Sequence, residues 1–176
     1  CALSPDFFVF ENVPGLIRTA RHRKIFDQLL CELQNKYVCD WTILNALDFG
    51  VPQDRQRLIL IGVSPSIFRK HFGRKHKPSE AGWFPWPKPK YPNAVERFNW
   101  ADISASVTKS AKPKNIPSSL MVGTYLNGNN PPQSHPNGDE AFIPRSEKFT
   151  EIEEGDISRK SFKRLHRWRY SPTAAY

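Results

Sequence analysis

The sequence is poor in cysteine and has no long apolar run. Only three cysteines, Cys1, Cys31 and Cys39, occur in 176 residues. Their odd number and spacing fit neither a disulfide framework nor a metal site, so we expect reduced, packed thiols. No segment approaches the ~18 consecutive apolar residues that a membrane span needs, and none resembles a signal peptide. We therefore expect a cytoplasmic protein with no membrane partner.

Two kinds of binding site are also missing from the sequence. The five histidines are scattered without a Cys, Asp or Glu at ligand spacing, so we predict no metal. No glycine-rich phosphate loop is present. The sequence therefore assigns no cofactor-binding residue to this chain.

Acidic residues are scarce relative to basic ones. Lysine and arginine number 26 against 17 aspartates and glutamates, a net charge of +9. Such an excess in a small chain favours a polyanionic partner, and nucleic acid is the commonest. A solvated basic surface is the alternative that composition leaves open.

The first part of the chain has the pattern of an α/β protein. The segment FFVFENV (7–13) predicts a strand buried on both faces that emerges at Glu11. One apolar stripe between residues 19 and 35 predicts an amphipathic helix. YVCDWTIL (37–44) alternates with the period of a strand. Strand, helix and strand form a βαβ unit, which should be right-handed and parallel.

A third strand is predicted over RLILIGV (57–63). The link before it is too short for a crossover helix, so it should pair antiparallel with the second strand. Its start then lies at the edge where the first strand ends. Gln53, Arg55 and Arg57 should therefore face one polar crevice with Glu11 and Asn12, where open α/β sheets bind ligands.

The remainder of the chain predicts an irregular region. Ten of the sixteen prolines lie between residues 85 and 144, which favours loops and short strands. The segment 126–140 has two Asn-Gly turn signals and should be an exposed loop. Cations alternate with aromatics from 159 to 169, which suits DNA contact through Lys163, Arg164 and Arg167. A solvated face is the alternative for this tail.

Structural explanations also exist for the two motifs of the first part. Glu11 and Asn12 could cap the turn that follows them, and Gln53, Arg55 and Arg57 could anchor a solvated loop. The functional hypothesis is that desolvation keeps Glu11 protonated, so that it donates to a ring nitrogen. A charge at Arg57, beside a buried run, is costly unless it is paired.

Together these motifs resemble the DNA cytosine 5-methyltransferases. FFVFENVPGL and, some forty residues later, DFGVPQDRQRLILIGV match that family's Glu-Asn-Val and Gln-x-Arg-x-Arg motifs in order and spacing. The resemblance implies a flipped target cytosine, a cysteine that adds to its ring, and S-adenosylmethionine as methyl donor. It also implies double-stranded DNA as partner, in a bacterial cell and beside the nucleoid, in some cases with a restriction enzyme.

The resemblance implies a role for each motif residue. Glu11 would bind the ring nitrogen and exocyclic amine, and Asn12 would brace the loop of the nucleophile. Arg57 would contact the base carbonyl, Arg55 would hold the phosphate backbone and that loop, and Gln53 would order the site.

The family's Pro-Cys nucleophile and glycine-rich cofactor loop are absent from this sequence. It is therefore similar to the end of a Rossmann-like sheet, with three strands and one crossover helix, followed by an irregular β and loop recognition region. The expected division is a partial catalytic domain (1–80), a target-recognition region (81–170) and a return to the catalytic domain (171–176). The rest of its own polypeptide would be a partner, and this chain alone should not methylate. A non-catalytic DNA-binding module or pseudo-methyltransferase is the rival hypothesis.

Overall fold

A computed structural model describes residues 4–72, 82–102, 111–125, 139, 147, 151–156 and 164–173. The chain divides into two compact units. Unit 1 comprises Cys1–Asn45 and Gln56–Lys88, and unit 2 comprises Ala46–Arg55 and Pro89–Tyr176. The predicted functional division at residue 80 stays a prediction, because compactness by itself does not test function.

Unit 1 contains a three-stranded sheet. Strands β1 (Phe7–Asn12), β2 (Val38–Asn45) and β3 (Gln56–Val63) are arranged in the order β1-β3-β2. β3 is antiparallel to both neighbours, so β1 and β2 run in the same direction. The antiparallel pairing of β2 with β3 is confirmed. The parallel direction predicted for β1 and β2 is also confirmed, and β3 lies between them and forms hydrogen bonds with both.

Helices cover one face of this sheet. A short α1 (Gly15–Arg18) leads into α2 (Ala20–Gln34), which confirms the predicted crossover helix. Phe26 of α2 is fully buried with Leu58 and Leu60 of β3. Burial of these apolar side chains, at about 25 cal/mol per Å² removed from water, holds the helix to the sheet.

A third helix, α3 (Pro65–His71), was not predicted from the sequence. Its start has a clear signal: Ser64 occupies the N-cap position, and its Oγ accepts a hydrogen bond from Ile67 N–H at 3.4 Å. Pro65 stands in the first turn, where its missing N–H has no cost.

β1 differs on its two faces. Phe8 and Phe10 pack toward α2, and Gly62, opposite Phe8 in the register, leaves the space that the Phe8 ring fills. On the other face, Phe7 and Val9 keep 67% and 61% of their surface exposed. The expectation that β1 is buried on both faces is therefore wrong, since no described residue covers that side.

At the β2 end, this second face is packed. Val38 and Val63 are buried with Phe68 and Trp83, and Trp83 Nε1 donates to the carbonyl of Cys39 at 3.2 Å. The neighbouring carboxylate of Asp40 is buried as well. These contacts tie the segment 82–88 to β2.

Unit 2 is irregular, as predicted. Its regular elements are 3-10 turns at Ala46–Phe49, Ser118–Leu120 and Val122–Thr124, and α4 (Ala94–Arg97). They surround a core built from Leu47, Ala94, Ile116, Leu120 and Met121. The predicted short strands are not found in the described part of this unit, which has one isolated parallel bridge between Gln53 and Ser171.

Two cysteines lie among the described residues, both as free thiols. Cys39 is half-buried, and desolvation raises its pKa to about 11. Cys31 is exposed on α2, so the expectation of a packed thiol is wrong there. Cys1 lies outside the described residues. None of the described helices has the length and apolar character needed to cross a membrane.

Candidate active site

The candidate site lies at the edge of the sheet where β1 ends and β3 begins. Glu11 is opposite Ile59 in the register, and Arg57 precedes Ile59 by two residues. Side chains two apart on a strand point to the same face. Arg57 Nε and Glu11 Oε1 are accordingly 2.5 Å apart in an ion pair. The predicted proximity of these two side chains is confirmed.

The two partners differ in their exposure to solvent. The side chain of Arg57 is 17% exposed, and its Nη1 also donates to the backbone carbonyl of Gln56 at 2.8 Å. The side chain of Glu11 is 51% exposed. The expectation that its strand desolvates Glu11 is therefore wrong, because half of this side chain is exposed to solvent. The arginine is the fixed member of the pair, and the carboxylate is accessible.

Asn12 does not join this pair. It follows Glu11 directly, so its side chain points to the opposite face of β1. Its Oδ1 accepts a hydrogen bond from the N–H of Val13 at 2.8 Å. This contact matches the structural alternative, a cap on the turn. The role of Asn12 in bracing a nucleophile's loop stays a prediction.

The site has one further member that sequence reasoning missed. Arg18, at the end of α1, donates from Nη2 to Gln56 Oε1 at 2.6 Å. Gln56 is an unspecified position of the Gln-x-Arg-x-Arg motif and stands immediately before Arg57. The sequence signal for the Arg18 to Gln56 contact is the group of basic residues that follows β1 and leads into α2.

Gln53 and Arg55 belong to unit 2. Gln53 Nε2 donates to the carbonyl of Pro172 at 3.5 Å, and Asp54 N–H donates to the carbonyl of Ser171 at 2.8 Å. The carbonyl of Arg55 accepts from Ala46 N–H at 3.0 Å. The loop that carries the motif is thus held by the segment 171–173. Convergence of Gln53 and Arg55 with Glu11 stays a prediction.

The predicted DNA-contacting tail is partly committed to internal contacts. Arg167 forms an ion pair with Glu154, and Arg164 Nη1 donates to the carbonyl of Ile152 at 3.1 Å. Lys163 lies outside the described residues, as does the loop at 126–138. DNA contact by Lys163, Arg164 and Arg167 stays a prediction, and Arg167 is the member with the least freedom to make it.

The described residues contain no group of three or more His, Cys, Asp or Glu side chains that could hold a metal ion. The candidate site brings together a carboxylate, two guanidiniums and an amide. Such a set binds a planar polar group that offers both donors and acceptors, because arginine donates only and a carboxylate accepts only.

A family model of the C-5 cytosine-specific DNA methylases matches residues 1–174. The chain belongs to this family. The match covers both the sheet of unit 1 and the irregular unit 2, so the methylase assignment does not depend on the two short motifs alone.

Curated relatives of this methylase chain are Type II methyltransferases. M.NmeDI of Neisseria meningitidis serogroup C is 44% identical over 100% of this chain and 40% of its own length. M.NlaIV of Neisseria lactamica is 33% identical over 69% of this chain and 27% of its own length. M.XorII of Xanthomonas oryzae pv. oryzae is 49% identical over 37% of this chain and 16% of its own length. The chain thus spans less than half the length of these relatives.

Proposed function

We propose that this chain is the middle and recognition portion of a DNA cytosine 5-methyltransferase. The enzyme flips a cytosine out of duplex DNA and transfers a methyl group to it from S-adenosylmethionine. The observation that carries the proposal is the ion pair between Glu11 and Arg57, at a sheet edge in a chain that matches the C-5 methylase family.

The ion pair is complementary to the edge of a cytosine. That edge presents a carbonyl acceptor, a ring-nitrogen acceptor and an exocyclic amine donor in a row. Arg57 can donate to the carbonyl, and the carboxylate of Glu11 can accept from the amine. The 2.5 Å between Arg57 Nε and Glu11 Oε1 leaves no room for a base to enter between the two side chains. The incoming base would replace the Arg57 to Glu11 contact by one contact to each partner.

The chemical step that this geometry assists is addition of a thiolate to the ring. The new bond from sulfur to ring carbon pushes electrons toward the ring nitrogen and carbonyl. Arg57, held by Gln56 and only 17% exposed, would stabilise the developing charge on the carbonyl oxygen. Glu11, once it has taken up a proton from solvent, would donate that proton to the ring nitrogen as negative charge grows there. A preorganised donor is worth more in the transition state than in the bound substrate.

When bound, the methyl donor would supply an electrophilic methyl group for the cytosine ring. The turn after β1 does not fit a cradle for this donor. The turn after β1 has a single glycine, Gly15, and a Cβ there would meet only Val13 Cγ2, at 3.9 Å. This turn therefore does not need glycine to let a ligand approach, and the donor would bind elsewhere in the polypeptide.

The partners follow from the same proposal. Double-stranded DNA is the substrate, and the remainder of the polypeptide supplies the nucleophile and the donor's pocket. A cytoplasmic location at the bacterial nucleoid gives access to that DNA. A companion restriction enzyme is part of the proposal because the relatives are Type II methyltransferases.

The test is Glu11→Gln in a full-length enzyme that contains this chain. The amide keeps the shape of the side chain. It removes the carboxyl group that would carry a proton to the ring nitrogen, and with it the negative charge. We expect duplex binding within about twofold of the original and turnover reduced by about 10²-fold or more. The measurement is transfer of labelled methyl groups to duplex DNA, together with binding of the same duplex.

Glu32→Gln is the matched control, since Glu32 is an exposed acid on α2 in the same unit. It should leave turnover unchanged. Unchanged turnover in Glu11→Gln would exclude a catalytic role for Glu11. The 176-residue chain by itself should transfer no label above a protein-free sample, and any transfer would show that it carries its own nucleophile.

A further inference from the structure

Three exposed cations without an acidic partner among the described residues lie between the end of β1 and the first turns of α2. They are Arg18, Arg21 and Lys24, and the stretch 15–24 that contains them has no acidic residue. Arg23, in the same stretch, pairs with Asp27 at 2.8 Å and lies 5.7 Å from the Trp41 ring centre. Arg23 therefore has an internal structural role, and the other three cations do not share it.

The acidic residues that flank this stretch in the sequence are already paired. Glu11 precedes this stretch and is bound to Arg57, while Asp27 follows it and is bound to Arg23. Arg18 has a neutral acceptor, Gln56, so its charge is not compensated. Within the described part of the chain, the side chains of Arg21 and Lys24 have no hydrogen-bond or ion-pair partner. Three positive charges therefore remain unbalanced at this place.

The register of the sheet fixes which edge these cations occupy. β1 ends at Asn12 opposite Leu58, and the chain enters α1 from that end. The Arg18 to Gln56 hydrogen bond of 2.6 Å joins the stretch to the residue directly before Arg57. The cations therefore lie on the same edge of unit 1 as the candidate site.

Their sequence position is unfavourable for the isolated helix. The start of a helix carries the positive end of its dipole, and cations there repel it. The first turn of α2 has no acidic residue to compensate. Arg21 and Lys24 are three residues apart and share the solvent face of α2, so they also repel each other. A polyanion bound at this surface would remove both penalties.

We propose that Arg18, Arg21 and Lys24 form a cationic surface that binds backbone phosphates of duplex DNA beside the nucleotide held by Glu11 and Arg57. This rests on the proposed function, because it assumes that the site takes a nucleotide from DNA. The phosphates next to an extruded nucleotide need to be held at the rim of its pocket. Arginine and lysine at an exposed edge match that chemistry.

The experiment compares two triple variants of a full-length enzyme that contains this chain. The first is Arg18→Gln, Arg21→Gln and Lys24→Gln, which keeps good helix formers. The second, a matched control, is Lys36→Gln, Arg69→Gln and Lys70→Gln. The control removes the same charge from exposed residues of unit 1 at the opposite edge of the sheet, where β2 begins and β3 ends. Duplex affinity is measured across a salt series, and melting temperature is measured without DNA.

The proposal predicts that the first variant binds all duplexes more weakly at low salt. The slope of log affinity against log salt should fall by about 0.9 for each phosphate that the variant no longer binds. Its melting temperature should stay the same or rise, since the helix start loses repulsive charge. The control should change the slope by less than half as much.

Two results would overturn the proposal. Equal slopes in the two variants would show a general effect of net charge. An unchanged slope with a lowered melting temperature would show that the cations pair with another part of the polypeptide. In either case, methylation by the unaltered enzyme and its loss in Glu11→Gln would leave the proposed function standing.

Discussion

Arg167 and Glu154 form a two-pronged ion pair that joins the tail to the preceding segment 151–156. Arg167 Nε donates to Glu154 Oε1 at 2.7 Å, and Nη2 donates to Oε2 at 2.6 Å. The backbone N–H of Arg167 also donates to Oε1, at 2.9 Å. This guanidinium holds the pKa of Glu154 below its usual value, and the Glu154 carboxylate raises the pKa of Arg167. A sequence pattern that suggested a phosphate contact has produced an internal one.

We predict that Arg167→Gln destabilises the protein by about 2 kcal/mol, because it leaves a largely buried carboxylate without its charged partner. Solvent that reaches the Arg167 and Glu154 side chains, which are 29% and 15% exposed, moderates this loss. Urea unfolding measures the change. Lys114→Gln, an exposed cation of unit 2, should change stability by less than 0.5 kcal/mol, about the usual surface effect. An equal loss of stability in Arg167→Gln and Lys114→Gln would contradict a stabilising role for the ion pair.

His166 should make the protein sensitive to mild acid. It is 5% exposed, and burial lowers its pKa below 6.5, with Arg169 and Arg167 adding to the effect and Glu154 opposing it. Below pH 6.5 the unfolded chain takes up this proton before the folded chain does. The free energy of unfolding should therefore fall as pH drops through the window between the two values.

The measurement is urea unfolding of the protein and of His166→Gln between about pH 7.5 and 5, where histidine titrates. The variant should lose stability overall but show a flatter pH dependence. Glu154 contributes in a separate window, below its usual pKa of 4.5, where its lowered folded pKa makes stability fall with acid. An equally steep profile in His166→Gln would assign the acid sensitivity to another group.

Asp40 should be intolerant of an isosteric amide. Its Oδ2 accepts from Phe84 N–H at 3.0 Å and from Trp86 Nε1 at 3.2 Å, while Oδ1 accepts from Trp41 N–H at 2.9 Å. In Asp40→Asn one oxygen becomes an NH₂ group that faces donors. We expect a loss of roughly 2 kcal/mol and a red shift in tryptophan fluorescence. Glu32→Gln should show neither change. An Asp40→Asn variant as stable as the original protein would contradict a stabilising role for these hydrogen bonds.

The two described cysteines should react at different rates. Cys31 is exposed, whereas desolvation raises the pKa of Cys39 to about 11 and leaves little thiolate near neutral pH. In a Cys1→Ser background, a maleimide should label one thiol in the folded protein and two after denaturation. Peptide mapping should place the first label on Cys31. Labelling of Cys39 at the same rate would show that β2 opens readily.

The sheet of unit 1 could be predicted because its signals are local. Runs of β-favouring residues set the three strands to within one or two residues, and a helical stripe set α2. The short link before β3 required an antiparallel return. The position of β3 between β1 and β2 could not be predicted, since neighbour order depends on which strand edges remain available.

The sequence predicted that two strand ends meet at the candidate site. It did not predict which side chains contact each other there. Two motifs at one edge brought Glu11 to Arg57. Alternation along the strand then turned Asn12 to the other face, and Arg18 entered through Gln56, which no motif specifies. A motif fixes the order of residues along the chain, whereas the pleat and the packing decide which side chains share a face.

The sequence by itself determined the family, the strands and helix of unit 1, and the irregular character of unit 2, because each follows from residue order over short distances. Only the tertiary structure decided which charges are available. Arg167 and Arg23 are held by Glu154 and Asp27, while Arg18, Arg21 and Lys24 keep their charge uncompensated. Coulomb attraction depends on distance in space, and a chain that folds back changes those distances without changing its charges.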